Sequence, residues 1–236
     1  MDWEVRRFAE VDSTNRYLLD EAAKGAREGL VVLADVQLAG RGRMGRRWES
    51  RPGASLLVSV LLRPFLPAVR LHLAVACMAL AAVEACADVA GARPRCKWPN
   101  DLVLGPAEDK LGGILAEVDL PAVVVGLGLN LDWPPGTLPT GAAGLGPVDR
   151  DALLDALLAH LGSLYGDWPR VREEYRAACV TIGRAVRVEM SDGAFTGTAV
   201  AVSDEGQLVV SPTGGGARLR TVAAGDVVHL RPGLPD

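Results

Sequence analysis

The sequence predicts an α/β domain followed by a small all-β unit, and three observations carry that expectation. Up to residue 181, apolar runs of strand length are interleaved with stretches whose apolar residues recur at helical spacing. After Ile182-Gly183 the texture changes to short apolar runs cut by turn signals. Of the 236 residues, 49% are apolar, enough for one sizeable core and a second small one. The expected domains are therefore residues 1–181 and 182–236.

Each element has its own signal. Ser13 is a good helix N-cap and Gly25 a good stop, with Tyr17, Leu18 and Ala22 as a partial apolar face between them. Residues 30–36 and 55–62 read as buried strands, the second ended by Arg63-Pro64. Residues 69–89 form a long helix with Leu73, Ala76, Cys77, Leu80 and Val83 on one side. Residues 96–98 and 102–104 pair across a Pro99-Asn100 turn, and residues 111–118 and 122–131 are strands that carry glycines. A Pro/Gly-rich loop, 134–147, leads to a helix capped by Asp149, with a leucine stripe from Leu153 to Leu164. Tyr175 lies on one more helix. Beyond it, turn signals at Ser191-Asp192-Gly193, Asp204-Glu205-Gly206, 212–216 and Gly225-Asp226 separate the strands of a small barrel ending near Leu230.

Composition narrows the function. A net charge of −4 argues against a general nucleic-acid binder, while the basic residues are locally concentrated, as a small anion site requires. Cys77, Cys86, Cys96 and Cys179 contain no Cys-x-x-Cys pair and read as buried thiols in a reducing compartment. His72, His160 and His229 have no zinc spacing, so no protein metal site is expected. The longest apolar stretch, 71–83, is too short for a membrane span, and the mixed charges of the first residues do not read as a signal peptide. The expected compartment is the cytoplasm, with no membrane partner.

The chemistry concentrates in the loop 37–48, where Gly40, Gly42 and Gly45 alternate with Arg41, Arg43, Arg46 and Arg47 before Trp48. Glycines let backbone N–H groups turn toward a ligand, and guanidinium forks match carboxylate and phosphate oxygens. Gly40 to Gly45 also fits G-x-G-x-x-G, but the segment after it is a poor helix start and no acid lies between Glu49 and Glu84 for a ribose. A solvated basic hairpin tip is the plainer alternative. Further along stand Lys97-Trp98-Pro99-Asn100-Asp101, Lys110 with Gly112, Gly113 and Glu117, and Gly126-Leu127-Gly128-Leu129-Asn130. No P-loop and no nucleophile elbow occurs.

Taken in order with Asp12-Ser13-Thr14-Asn15, these segments resemble the biotin–protein ligase (biotin–[acetyl-CoA-carboxylase] ligase) family over nearly the whole chain. The resemblance implies a mixed, mainly antiparallel sheet with flanking helices and a C-terminal SH3-like β-barrel. It implies biotin and ATP, with Mg²⁺, as substrates, and biotinyl-5′-AMP as intermediate. The acceptor is a lysine of a biotin carboxyl carrier protein domain. Lys110, Arg41 and Asp101 would be catalytic, with Asp101 serving the acceptor amine. Ser13, Thr14, Asn15 and Gln37 would bind the ureido ring; Gly40, Arg41, Gly42, Arg43, Lys110, Gly112, Gly113 and Gly128 complete the biotin site. Arg41, Arg43, Arg46, Trp48, Asn100, Lys110 and Asn130 would hold ATP. The chain begins too close to Ser13 for the DNA-binding domain of some members, so no nucleic-acid partner is expected. Monomer and homodimer both occur with this pattern. A lipoate-adenylating relative and a non-catalytic adenylate sensor are the alternatives.

Overall fold

The computed structural model describes residues 1–190, 193–214, 218–223 and 226–229. The seven-stranded sheet is built from β1 (Glu4–Val11), β2 (Leu30–Gln37), β3 (Ser55–Leu62), β4 (Arg95–Lys97), β5 (Asp101–Leu104), β6 (Asp109–Asp119) and β7 (Ala122–Asn130). Their order is β1-β2-β3-β7-β6-β5-β4. Only β1 and β2 pair in parallel; every other neighbour is antiparallel, so the sheet is mixed and mainly antiparallel. β1 is the strand that carries no sequence signal. It lies at the sheet edge with no buried residue, and Glu4, Arg6, Arg7 and Glu10 leave it no apolar alternation.

Both faces of the central strands are covered, which is why β2 and β3 read as continuous apolar runs. Leu30 and Val32 pack with Leu18 of α1 (Thr14–Ala23), whereas Val31 and Leu33 face the larger cluster. That cluster is filled by α2 (His72–Ala90), α3 (Arg150–Leu164) and α4 (Trp168–Ala178). Six alanines of α2, among them Ala74, Ala81 and Ala85, are buried and let the leucine stripe of α3 approach closely. Asp149 caps α3 by accepting from the Asp151 and Ala152 amides at 2.9 and 3.1 Å.

The apolar span around α2 matches the expected helix, 69–89, and is longer than the uninterrupted stretch 71–83. A short 3₁₀ turn, Ala68–Arg70, extends it to Ala68–Ala90, 23 residues that are long and apolar enough to cross a membrane. Of its most apolar window, 67% is buried inside the fold, the setting of a core helix.

A second, five-stranded antiparallel sheet follows: β8 (Ala185–Met190), β9 (Gly193–Val202), β10 (Leu208–Pro212), β11 (Arg220–Val222) and β12 (Asp226–His229), in the order β11-β10-β9-β8-β12. Ser191, Asp192, Gly215, Gly216, Gly225 and Leu230, expected at turns and at the last strand's end, lie outside the described residues. The β9–β10 turn is seated on the first sheet and its helices. Trp98 donates its indole N–H to the Gly206 carbonyl at 2.9 Å and its backbone N–H to the Thr181 hydroxyl at 3.0 Å. Arg176 donates to the Val202 carbonyl at 2.8 Å and pairs with Asp204 at 2.8 Å. The His72 ring fills the space beside Gly206, and burial holds its imidazole below the ordinary histidine range.

Thr181 is fully buried, so its hydroxyl has no water to replace Trp98 as a partner. Thr181→Val keeps the shape and leaves the Trp98 amide unpaired, at a cost of about 1–3 kcal/mol. Urea unfolding should show the loss as a lower midpoint at unchanged slope; an unchanged midpoint would mean that this bond adds nothing to the seating.

Candidate active site

Period-two alternation on β6 and β7 makes the cavity. Val123, Val125, Leu127 and Leu129 point into the core, which leaves Gly126, Gly128 and Asn130 on the opposite face. Gly113 pairs with Gly128, so two neighbouring strands lack side chains at the same level. Above this strip lies a cavity of about 520 Å³, the size of a small-molecule site.

One end is lined by hydroxyls and amides. Ser13 caps α1, accepting from the Arg16 amide at 3.4 Å, and its hydroxyl also lines the cavity. Gln37 accepts from the Thr14 amide at 2.9 Å and lies 3.1 Å from its hydroxyl. A backbone donor needs an oxygen, so the Gln37 amide nitrogen is left for a ligand. Asn15 donates to the Leu115 carbonyl at 3.1 Å and to Glu117 at 2.9 Å, while its oxygen lies 2.6 Å from the Ser59 hydroxyl. Ser59 is also 2.6 Å from the Thr14 hydroxyl. Thr14, Asn15 and Ser59 are all buried.

The other end is cationic. The loop from Gly40 to Trp48 is a hairpin, closed by Gly42 N–H to the Arg46 carbonyl at 2.7 Å and Trp48 N–H to the Gly40 carbonyl at 3.0 Å. Arg41, Arg43, Arg46 and Arg47 line the cavity; Met44, in the left-handed region and 67% exposed, points away. Burial lowers the Arg43 guanidinium from its usual range, and nearby Asp101 opposes that shift. Arg43 also donates to the Asn100 side-chain oxygen at 3.3 Å, and Asn100 in turn donates to the Ile114 carbonyl at 2.7 Å.

Lys110 reaches the cavity through a bulge. Leu102 pairs with Gly112 but Val103 pairs with Lys110, so Leu111 is an extra residue in β6. Strict alternation would place Lys110 with Gly112 and Ile114 toward the core. The bulge instead sends Leu111 inward and turns Lys110 onto the face of Gly113, whose Cβ position lies 3.5 Å from the Lys110 ammonium. Lys110 Nζ pairs with Asp101 at 2.7 Å and lies 5.7 Å from the Trp48 ring. The loop after β7 supports this strand: Lys110 N–H donates to the Gly141 carbonyl, and Ala143 N–H to the Lys110 carbonyl.

The structure therefore brings Ser13, Thr14, Asn15, Gln37, Arg41, Gly42, Arg43, Arg46, Trp48, Asn100, Asp101, Lys110, Gly113, Gly128 and Asn130 to one cavity. Gly40 and Gly112, expected to touch biotin, lie outside its lining. A Cβ on Gly40 would meet the Trp48 carbonyl at 2.7 Å, and one on Gly112 the Gly128 carbonyl at 2.8 Å, so both serve chain packing. Gly113 and Gly128, also read as ligand contacts, seat the Trp48 indole. The Asn130 amide nitrogen is 3.4 and 3.2 Å from the Lys110 and Ala143 carbonyls, which leaves its oxygen for other partners. Trp133, the segment from Pro139 to Ala142, and Glu189 and Val227 of the second sheet complete the lining. No local pattern marks them, because a separate part of the chain delivers each. Ser59 was equally silent, inside an apolar run, whereas Glu117 stood at the end of the Lys110 segment with no role attached to it.

Fold and cavity together define the class: a small-molecule site on a mixed sheet, roofed by an arginine-rich hairpin at one end and lined by hydroxyls and amides at the other. The comparisons supply the family. Residues 8–130 match the biotin/lipoate A/B protein ligase family, and residues 181–230 match the biotin protein ligase C-terminal domain. The biotin–[acetyl-CoA-carboxylase] ligase of Mycobacterium tuberculosis is 38% identical, covering 94% of this chain and 88% of that protein. The bifunctional ligase/repressor BirA of Bacillus subtilis is 29% identical over 87% of this chain and 68% of its own length. Biotin protein ligase from Aquifex aeolicus, solved in complex with biotin and ATP, has the same fold at a TM-score of 0.77 and 24% identity, covering 97% of this chain and 99% of that one. The chain belongs to the biotin/lipoate A/B protein ligase family, as a biotin protein ligase.

A Cβ at position 128 would lie 2.5 Å from the Trp48 ring, so Gly128→Ala should expel the indole and loosen the hairpin. Limited trypsin digestion should then cut between Arg41 and Arg47 several times faster than in the wild type; equal rates would show that this seat does not hold the loop.

Proposed function

We propose that this chain joins biotin to a lysine of a biotin carboxyl carrier protein domain in one ATP-dependent reaction of two steps, as a biotin–[acetyl-CoA-carboxylase] ligase. In the first, a biotin carboxylate oxygen attacks the α-phosphorus of ATP and pyrophosphate leaves. In the second, the acceptor amine attacks the acyl carbonyl and AMP leaves. One observation carries the reading: a single cavity has four arginines and Lys110 at one end and Ser13, Thr14, Asn15 and Gln37 at the other. The cations offset the repulsion between a carboxylate and a triphosphate, which must meet before reaction. The amides and hydroxyls match a cyclic urea, which has two N–H donors and one carbonyl. A lipoyl dithiolane has neither, and offers no partner to the Gln37 amide nitrogen or to the second lone pair of the Asn15 oxygen.

The roles are those that the family resemblance implies, and the residues concerned all line the one cavity. Arg41 and Lys110 face the biotin carboxylate and the α-phosphate. Arg43 holds biotin, Arg46 the phosphates, and Asn100, Asn130 and Trp48 the nucleotide. Lys110 rests on Asp101; once the lysine turns to the anionic substrates, the carboxylate is left to orient the acceptor amine or take its proton. Mg²⁺ would enter with ATP, held mainly by phosphate oxygens and water. Residues 1–181 would form the catalytic domain and 182–236 a C-terminal domain that completes one wall. The cytoplasm is the expected setting, since the four cysteines are buried free thiols, as a reducing compartment allows. Incubation with labelled biotin or lipoate, ATP and a carrier domain tests the whole reading: label should pass to the carrier from biotin and not from lipoate.

Lys110→Ala should keep the fold and lower biotin-dependent pyrophosphate release by about 10²–10³, the usual effect of losing one preorganised charge at a transition state. A drop below about fivefold would assign the lysine elsewhere.

The four arginines repel one another until an anion arrives, and the loop's glycines add chain entropy. Hydrogen exchange over residues 40–48 should slow strongly on adding biotin plus ATP. Equal protection with and without substrates would mean that the hairpin of the free protein is already rigid.

A further inference from the structure

Glu117 stands outside the cavity lining, yet it touches a residue at each end of the site. One carboxylate oxygen accepts from the Asn15 amide at 2.9 Å, and the other lies 3.9 Å from the Arg41 guanidinium. The two contacts differ in weight. Arg41 is 57% exposed in its side chain and the pair is long, so water screens it. Asn15 is only 4% exposed, and its bond to Glu117 has little competition from solvent.

The consequence lies in the direction of the Asn15 amide. Its nitrogen faces two acceptors, the Leu115 carbonyl and the Glu117 carboxylate. With both N–H bonds drawn to β6, the oxygen must point the other way, toward Ser59 and Gly126. It lies 2.2 Å from where a Gly126 Cβ would stand. The Ser59 hydroxyl takes one lone pair of that oxygen, and the second remains for the cavity. An acceptor fixed at this place selects a ligand that presents an N–H donor and penalises one that presents a methyl group or a lone pair.

We propose that Glu117 is a specificity-determining positioning residue, which acts through Asn15 to present an oxygen to a ring N–H of the ureido group. The inference rests on the biotin reading above. Removal of the carboxylate leaves one Asn15 amide hydrogen unpaired and the Leu115 carbonyl alone to hold the orientation. Glutamine at 117 supplies a carbonyl oxygen for the same bond without the charge.

Biotin-dependent pyrophosphate release, read as separate KM and kcat values, tests the inference. Glu117→Ala should raise the KM for biotin about tenfold with kcat within about twofold of wild type, the scale of one lost buried hydrogen bond. Glu117→Gln should stay within about threefold of the wild-type KM. For biotin methylated at one of its two ring nitrogens, the penalty relative to biotin should shrink in Glu117→Ala and persist in Glu117→Gln. In an Asn15→Ala background, Glu117→Ala should add no further rise in KM, because the two act as one unit. Equal losses for alanine and glutamine would make charge, not amide direction, the operative property and overturn the proposal. Additive effects of Asn15→Ala and Glu117→Ala would overturn it too, as would an unchanged KM in Glu117→Ala. A wild-type protein inactive with biotin would remove the biotin reading itself, which separates that failure from this one.

Discussion

The site depends on a strip of sheet without side chains. Gly113, Gly126 and Gly128 sit together on the open face of β6 and β7, and the space they leave is already used. A Cβ at Gly126 would stand 2.2 Å from the Asn15 oxygen, and one at Gly128 2.5 Å from the Trp48 ring. Separations under 3 Å are repulsive for any such pair, so an added methyl group displaces the polar end at one position and the aromatic wall at the other. The opposite faces of the same strands carry Val123, Val125, Leu127, Leu129 and Ile114, all buried. One face is anchored by the core while the other is kept bare, and β-pleating produces this division without any special backbone geometry.

Charge in the cavity is balanced within the chain. Lys110 pairs with Asp101, Arg41 lies near Glu117, and Arg43 is half-buried close to Asp101. A cluster of cations in a concave site is otherwise costly, through mutual repulsion and desolvation. Asp101, in contact with Lys110 and near Arg43, reduces that cost in the free protein and can be exchanged for substrate oxygens, while the longer Arg41–Glu117 pair adds little. The same balance explains how an acidic chain holds a local anion site.

The second sheet is joined to this machinery through Trp98. That residue lies one before Pro99 and two before Asn100; its indole is held by Gly206 of the β9–β10 turn and its backbone N–H by Thr181. Glu189 and Val227 extend the cavity wall from the same direction. Much of the fold was legible beforehand. The Ser13 and Asp149 caps, the leucine stripe of α3, the apolar runs of β2 and β3 and the change of texture after Ile182 are local patterns, and each has a local cause. β1 was not legible, because an edge strand with both faces largely in water has no reason to alternate. The helix at α2 was legible as 69–89, close to the observed span; only the uninterrupted stretch 71–83, taken alone, understated it.

By itself, the sequence determined the chemical inventory: an arginine–glycine hairpin, a hydroxyl–amide cluster at a helix start, a lysine before paired glycines, and the family those motifs resemble. These follow from residue type and short spacing, which survive without coordinates. Only the tertiary structure decided which of them meet. The extra residue at Leu111 turns Lys110 from the core face to the cavity, and a bulge is a property of two paired strands that no single run of residues reveals. At Gly40 and Gly112 a side chain would run into the Trp48 and Gly128 carbonyls, neighbours brought in by other parts of the chain. Ser59, Glu117, Trp133 and Glu189 came to the site in the same way. Their contacts depend on strand register and on the seating of one sheet against another, long-range quantities that local sequence patterns do not encode.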